Sequence, residues 1–138
     1  SKEDAELLYD FGVSIGIGFQ LKDDLLDVYG DQAKFGKQVG GDIISNKKTF
    51  LLLKALELAN EEQKKQLDYW LGLEKFDAVA KVEAVRAIYD AIGIEALTKA
   101  KMNEYFHHGF SDLKQLGIEE EKRTSLKKFA EYLIDREH

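Results

Sequence analysis

The chain has 138 residues, the length of one ordinary domain, and its apolar fraction of 44% and charged fraction of 33% are typical of globular proteins. Its formal charge of −6 argues against a nucleic-acid groove, because contacts with many phosphates need a basic excess. No apolar run approaches the ~18 residues of a membrane span, and no targeting segment is recognisable, so we expect a cytoplasmic protein with no membrane span. The absence of cysteine excludes disulfides and thiolate metal sites.

The repeat of apolar residues predicts helices along almost the whole chain. Apolar positions recur at spacings of three and four, and proline is absent, so we predict an all-α fold without strands. Val79, Val82 and Val85 belong to the predicted core face of the fourth helix. No linker or internal repeat separates the helices, so we expect a single helical domain over residues 1–138. The predicted helices cover residues 3–29, 44–60, 61–71, 76–92, 94–108 and 119–136.

The first predicted helix carries a polar stripe with three aspartates. At 100° per residue, one face holds Tyr9, Gly12, Gly16, Gln20, Asp23 and Asp27, with Asp24 beside them. Like charges one turn apart destabilise a helix by about 0.2–0.5 kcal/mol per pair, and the C-terminal end of the helix dipole disfavours anions further. One interpretation is a solvated acidic turn. The other is a site for a hard divalent cation, for which Mg²⁺ fits best because it also holds substrate phosphates.

The segment after this helix, GDQAKFGKQVGGD at residues 30–42, is rich in glycine. Gly36-Lys37 is not a Walker loop, because Asp31 stands where that motif requires a glycine and Gln38 follows the lysine. Gly16-x-Gly18 in the preceding helix is not a dinucleotide-binding fingerprint, because Leu21 replaces the third glycine. Lys37 lies in this segment, and Lys47 lies near the start of the next predicted helix. Either lysine alone is best interpreted as a surface residue. Two lysines beside three carboxylates predict one site, in which lysine binds a diphosphate held by Mg²⁺.

Three motifs that follow one another here resemble the second aspartate-rich region of the trans-isoprenyl diphosphate synthases, the family of farnesyl, geranylgeranyl and longer polyprenyl diphosphate synthases. The motifs are FQLKDDLLD, GKQVGGD and NKKTF, and the similarity is strong over residues 9–55. The resemblance implies the C-terminal half of the isoprenoid synthase helical bundle. It also implies prenyl transfer, in which an allylic diphosphate ionises with the help of Mg²⁺, isopentenyl diphosphate attacks the cation, and a proton is lost.

The same resemblance assigns roles to six side chains. It implies that Asp23 ligates Mg²⁺ directly, and that Asp24 and Asp27 hold it directly or through water. Lys37 and Lys47 would bind the allylic diphosphate. Gln20 would lie beside the diphosphate or the reacting allylic carbon, so that the expected catalytic residues are Asp23, Lys37 and Gln20.

Members of this family are longer than this chain, and the first aspartate-rich motif has no counterpart in it. We therefore expect a C-terminal portion of a prenyltransferase that is inactive alone, whose partners are the missing N-terminal half and, in the full-length homodimer, a second copy. Two alternatives stay open, a non-catalytic helical binding module and a terpene cyclase of the same fold. The metal motif usual in cyclases, Asn/Asp-x-x-Ser/Thr-x-x-x-Glu, is absent at Asp23.

Overall fold

The computed structural model describes residues 1–30 and 39–135. These residues form seven helices and contain no strand, which confirms the all-α prediction. Within the described ranges, no helix combines the length and the apolar character that a bilayer crossing requires. The helices are α1 (Lys2–Tyr29), α2 (Gly41–Ile44), α3 (Phe50–Leu58), α4 (Glu61–Gly72), α5 (Ala78–Ile92), α6 (Ile94–Lys114) and α7 (Glu120–Asp135).

The predicted helix over residues 44–60 is wrong at its start, because the chain turns before α3 begins. Asn46 has a left-handed backbone with φ of 58°, which interrupts the helical conformation. Thr49 then caps α3, and its buried Oγ1 accepts a hydrogen bond from the N–H of Leu52 at 3.2 Å. This cap places Lys47 in a turn between two helices rather than inside one.

The described residues divide into two compact units, to which α1 and α6 both contribute. The first unit draws on Ser1–Lys22 and Ala100–His138, and the second on Asp23–Lys99. The expectation of a single domain stays a prediction.

In the first unit, α1 and α6 approach closely where glycines of one helix face large side chains of the other. The rings of Phe19 and Phe106 meet edge to face, with centroids 5.7 Å apart. A β-carbon added at Gly18 would lie 2.3 Å from Cε1 of Phe106, and one at Gly109 would lie 2.9 Å from Cδ1 of Ile15. Both glycines therefore make room for a buried side chain of the opposite helix.

This close approach makes Gly18→Ala a test of the packing in the first unit. We expect a loss of about 1–3 kcal/mol in the free energy of unfolding, because the new methyl group overlaps the Phe106 ring. Gly16→Ala is the matched control, since a β-carbon there meets nothing within 4 Å and should stabilise the helix by about 0.5–1 kcal/mol. Denaturant unfolding of the 138-residue chain measures both, and equal effects would contradict the described contact.

In the second unit, α5 is the central helix and packs against α2, α3 and α4. The prediction that Val79 belongs to the core face is wrong, since Val79 is 59% exposed. The buried face instead contains Lys81, Val85, Ile88 and Tyr89. These residues follow the spacing i, i+4, i+7 and i+8 of one helix face, with a lysine at the first position.

Candidate functional site

The end of α1 carries the three predicted metal-binding carboxylates into the second unit. Asp23 is exposed and Asp27 is half-buried, whereas Asp24 is only 4% exposed. Val28 lies one turn after Asp24 and is buried on the same helix face, which explains why Asp24 is drawn inward. The aspartates of α1 therefore occupy three different environments rather than one solvated acidic turn.

The chain returns to the end of α1 at Gly40, and two backbone N–H groups there bind Asp27. The N–H of Gly40 donates to the backbone oxygen of Asp27 at 2.6 Å. The N–H of Asp42 donates to Oδ2 of Asp27 at 2.8 Å. Gly40 has φ of 96°, and a β-carbon there would lie 2.7 Å from Cγ1 of Val82, so both conformation and space require glycine. This turn fixes the position of Asp42 beside the aspartates of α1.

Asp24, Asp27 and Asp42 form a cluster of charged side chains around Lys47. Its Nζ lies 3.5 Å from Oδ1 of Asp24 and 3.9 Å from Oδ2 of Asp42, while its side chain stays 53% exposed. Burial raises the pKa of Asp24, and the ammonium of Lys47 opposes that rise. The carboxylates of Asp24 and then Asp42 raise the pKa of Lys47, so the lysine stays protonated at neutral pH. The result is a half-exposed cation beside carboxylates, an arrangement suited to binding an anion next to a metal ion.

The structure brings four of the relevant residues together and leaves the others apart or undescribed. Asp24, Asp27, Asp42 and Lys47 form connected hydrogen bonds and ion pairs. Asp23 lies on the exposed side of the same helix end. Gln20 is exposed and belongs to the first unit. Lys37 lies outside the described residues.

The sequence pattern predicted no role for Asp42, which belongs to this cluster, or for Lys81, which lies behind it. Asp42 ends the motif GKQVGGD, and a carboxylate between two glycines and Lys47 is the sequence signal for a charge pair. Lys81 lies in the core of the second unit with no exposed surface, where periodicity predicts an apolar residue. Its regular i+4 spacing from Val85 was the available signal.

The carboxylates of α1 fit a magnesium ion that is shared with a ligand. Among residues 1–30 and 39–135, no three His, Cys, Asp or Glu side chains are grouped closely enough to hold a metal ion by themselves. Mg²⁺ does not need such a cage, because it keeps several waters and binds through one or two carboxylates plus phosphate oxygens. The carboxylates of Asp23, Asp24 and Asp27 are the oxygen donors that would serve such an ion.

Comparison with known proteins places these motifs in a family. A family model described as polyprenyl synthetase matches residues 1–91. The short chain isoprenyl diphosphate synthase of Methanothermobacter thermautotrophicus is 34% identical over 138 residues, which are 100% of this chain and 41% of that protein. Monoterpene synthase FDS-5 of Artemisia spiciformis is 44% identical over 86 residues, covering 62% of this chain and 21% of that protein.

A solved structure agrees with the sequence relatives. The crystal structure of a geranylgeranyl pyrophosphate synthase superposes with a TM-score of 0.86 at 34% identity, and the match covers 100% of this chain and 43% of the other. The chain thus spans less than half the length of the isoprenyl and geranylgeranyl synthases it matches. Because the family model matches most of the chain, the chain belongs to the polyprenyl synthetase family.

Proposed function

We propose that this chain forms one wall of the Mg²⁺-diphosphate site of a prenyltransferase, which condenses an allylic diphosphate head to tail with isopentenyl diphosphate. The observation that carries the proposal is Lys47, whose ammonium lies beside Asp24 and Asp42 at the aspartate-rich end of α1. Family membership and the isoprenyl diphosphate synthases among its relatives support the same reaction.

Different residues of this chain would hold the metal ion and bind the diphosphate while the allylic substrate ionises. Asp23 would ligate Mg²⁺ directly, and Asp24 and Asp27 would hold it directly or through water. The bound ion would supply positive charge to the leaving diphosphate. Lys47, together with Lys37, would bind the diphosphate oxygens and stabilise the charge that develops as the carbon–oxygen bond breaks. Gln20 would lie beside the diphosphate or the reacting allylic carbon.

We also propose that the chain is the C-terminal part of such a synthase and is inactive alone. The relatives are longer, and two apolar side chains on α1 stay exposed among the described residues: Leu8 is 48% exposed and Tyr9 is 72% exposed. Within the described part of the chain, a β-carbon added at Gly12 or Gly16 would meet nothing within 4 Å, which leaves space along the polar stripe. An N-terminal half with the first aspartate-rich motif would face this stripe, within a homodimer of the whole protein.

The test compares the intact protein with the 138-residue chain, each supplied with Mg²⁺, an allylic diphosphate and labelled isopentenyl diphosphate. We expect label to enter a longer prenyl diphosphate with the intact protein and not with the chain alone. No incorporation by the intact protein would contradict the proposed condensation. Because one relative is a monoterpene synthase, hydrocarbon release from the allylic substrate without isopentenyl diphosphate would indicate a terpene synthase instead.

A further inference from the structure

A second lysine, Lys81, binds the residue that precedes Lys47 and has no part in the proposed mechanism. Lys81 has no exposed surface, although lysine is among the residues least often buried completely. Its Nζ donates to Oδ1 of Asn46 at 2.6 Å and to the backbone oxygen of Ile44 at 3.3 Å, and it lies 4.2 Å from the centre of the Phe76 ring. Burial lowers the pKa of Lys81. These neutral partners replace part of the water that the ammonium loses.

Both hydrogen bonds of Lys81 end just before Lys47, one on Ile44 at the end of α2 and one on Asn46 in the turn that follows. Asn46 has the left-handed φ of 58°, an uncommon conformation for a residue other than glycine. Its side-chain amide is held at both ends, because Oδ1 accepts from Lys81 while Nδ2 donates to the backbone oxygen of Leu71 at 3.1 Å. Lysine only donates, which fixes the orientation of the amide group. Asn46 is thus held between α4 and α5, and the next residue in the chain is Lys47.

The space between the two lysines is small. A cavity of about 10 Å³, room for about one water molecule, is lined by Asn46, Lys47 and Lys81, with Asp42 and Thr49 beside them. The backbone of the turn is hydrogen-bonded on both sides of Asn46, with the N–H of Lys47 donating to Asp42 at 2.9 Å. Because Lys81 contacts Asn46 directly, a substitution of Lys81 should disturb this turn more than it disturbs residues elsewhere in the second unit.

The geometry points to Lys81 as a positioning residue of the diphosphate site: by holding Asn46 in its left-handed conformation, it directs Lys47 toward the carboxylates of α1 and α2. Lys81 itself does not reach the ligand. The identity of the ligand rests on the proposed function, whereas the action of Lys81 on the turn does not.

Hydrogen exchange of the intact protein tests the action on the turn. Lys81→Met removes the ammonium and keeps an unbranched side chain in the core. We expect the backbone amides of Asn46 and Lys47 to exchange about tenfold faster or more, while those of Leu67 and Ile88 keep their rates. Lys75→Met is the control, because it removes the same charge from an exposed position before α5 and should change neither set. Unchanged exchange at the turn would overturn the proposal, and so would equal acceleration at all four positions.

A double-mutant cycle tests whether Lys81 acts through Lys47. The affinity of the intact protein for inorganic diphosphate in the presence of Mg²⁺ is measured for the unsubstituted protein, Lys81→Met, Lys47→Ala and the double variant. We expect Lys81→Met to weaken binding about tenfold alone and to have no further effect beside Lys47→Ala. Equal losses in both backgrounds would overturn the positioning role. No binding by the unsubstituted protein would contradict the proposed function instead, and hydrogen exchange would still decide the role of Lys81.

Discussion

Asp23→Ala in the intact protein should lower kcat for the Mg²⁺-dependent condensation by about 10²–10³-fold, the usual cost of removing one group that stabilises developing charge. The physical reason is that Asp23 is proposed to ligate the ion directly, so its loss weakens the neutralisation of the leaving diphosphate. Steady-state kinetics over a range of Mg²⁺ concentrations should also show a higher requirement for the ion. Because Asp23 is exposed, we expect the variant to stay folded, which chemical denaturation checks.

The control for this prediction lies on the same helix. Asp10 is exposed on α1, far from the aspartate-rich end, and Asp10→Ala removes the same carboxylate from the same kind of helix surface. Activity and Mg²⁺ requirement should therefore match those of the unsubstituted protein. Normal activity of Asp23→Ala, or a loss shared equally by Asp10→Ala, would refute the role proposed for Asp23.

Gly40→Ala should have the largest effect on stability of the substitutions considered, a loss of about 2–5 kcal/mol in the free energy of unfolding. Two costs add here: a left-handed φ for a residue with a β-carbon, about 1–2 kcal/mol, and overlap of the new methyl group with Val82, about 1–3 kcal/mol. The turn also supplies the N–H of Asp42 that binds Asp27, so the cluster around Lys47 should be disturbed as well. Chemical denaturation followed by circular dichroism measures the loss.

Gly93→Ala separates the two costs. Gly93 has a similar φ of 86°, but a β-carbon there meets nothing within 4 Å, so only the conformational cost of about 1–2 kcal/mol is expected. Val82→Ala in the Gly40→Ala background should restore part of the stability, because it removes the methyl groups that the new β-carbon meets. The close contact between Gly40 and Val82 would be contradicted by equal losses for Gly40→Ala and Gly93→Ala.

Much of the fold could be predicted because its determinants are local. The spacing of apolar residues identified the long helices, and the predicted helix of residues 3–29 agrees closely with α1. The false start of the helix before α3 came from reading the pattern through Asn46, although Thr49 directly precedes the apolar run FLLL and is a recognisable N-cap. The interruption itself depends on a left-handed residue that is held by the backbone oxygen of Leu71 in α4 and the side chain of Lys81 in α5, and periodicity does not reveal these contacts.

The three carboxylates of the candidate site could also be predicted from local sequence, whereas Asp42 and Lys81 could not. Three carboxylates on one helix conflict with local electrostatics, and that conflict is visible in any single sequence. The contribution of Asp42 depends on a turn at Gly40 that returns the chain to α1, and the contribution of Lys81 depends on the packing of α5. Lys81 also violates the expectation that lysine lies at the surface, so a search for apolar stripes selects Val79 in its place.

The one-residue connection between α5 and α6 limits where the polypeptide tolerates change. Gly93 alone separates the two helices, its N–H donates to the backbone oxygen of Tyr89 at 2.9 Å, and Ile94 directly after it is fully buried. A residue inserted at this position would displace Ile94 from its buried position at the start of α6. Split-protein designs, inserted affinity tags and circular permutants of this protein should therefore cut or extend the chain at a position other than Gly93.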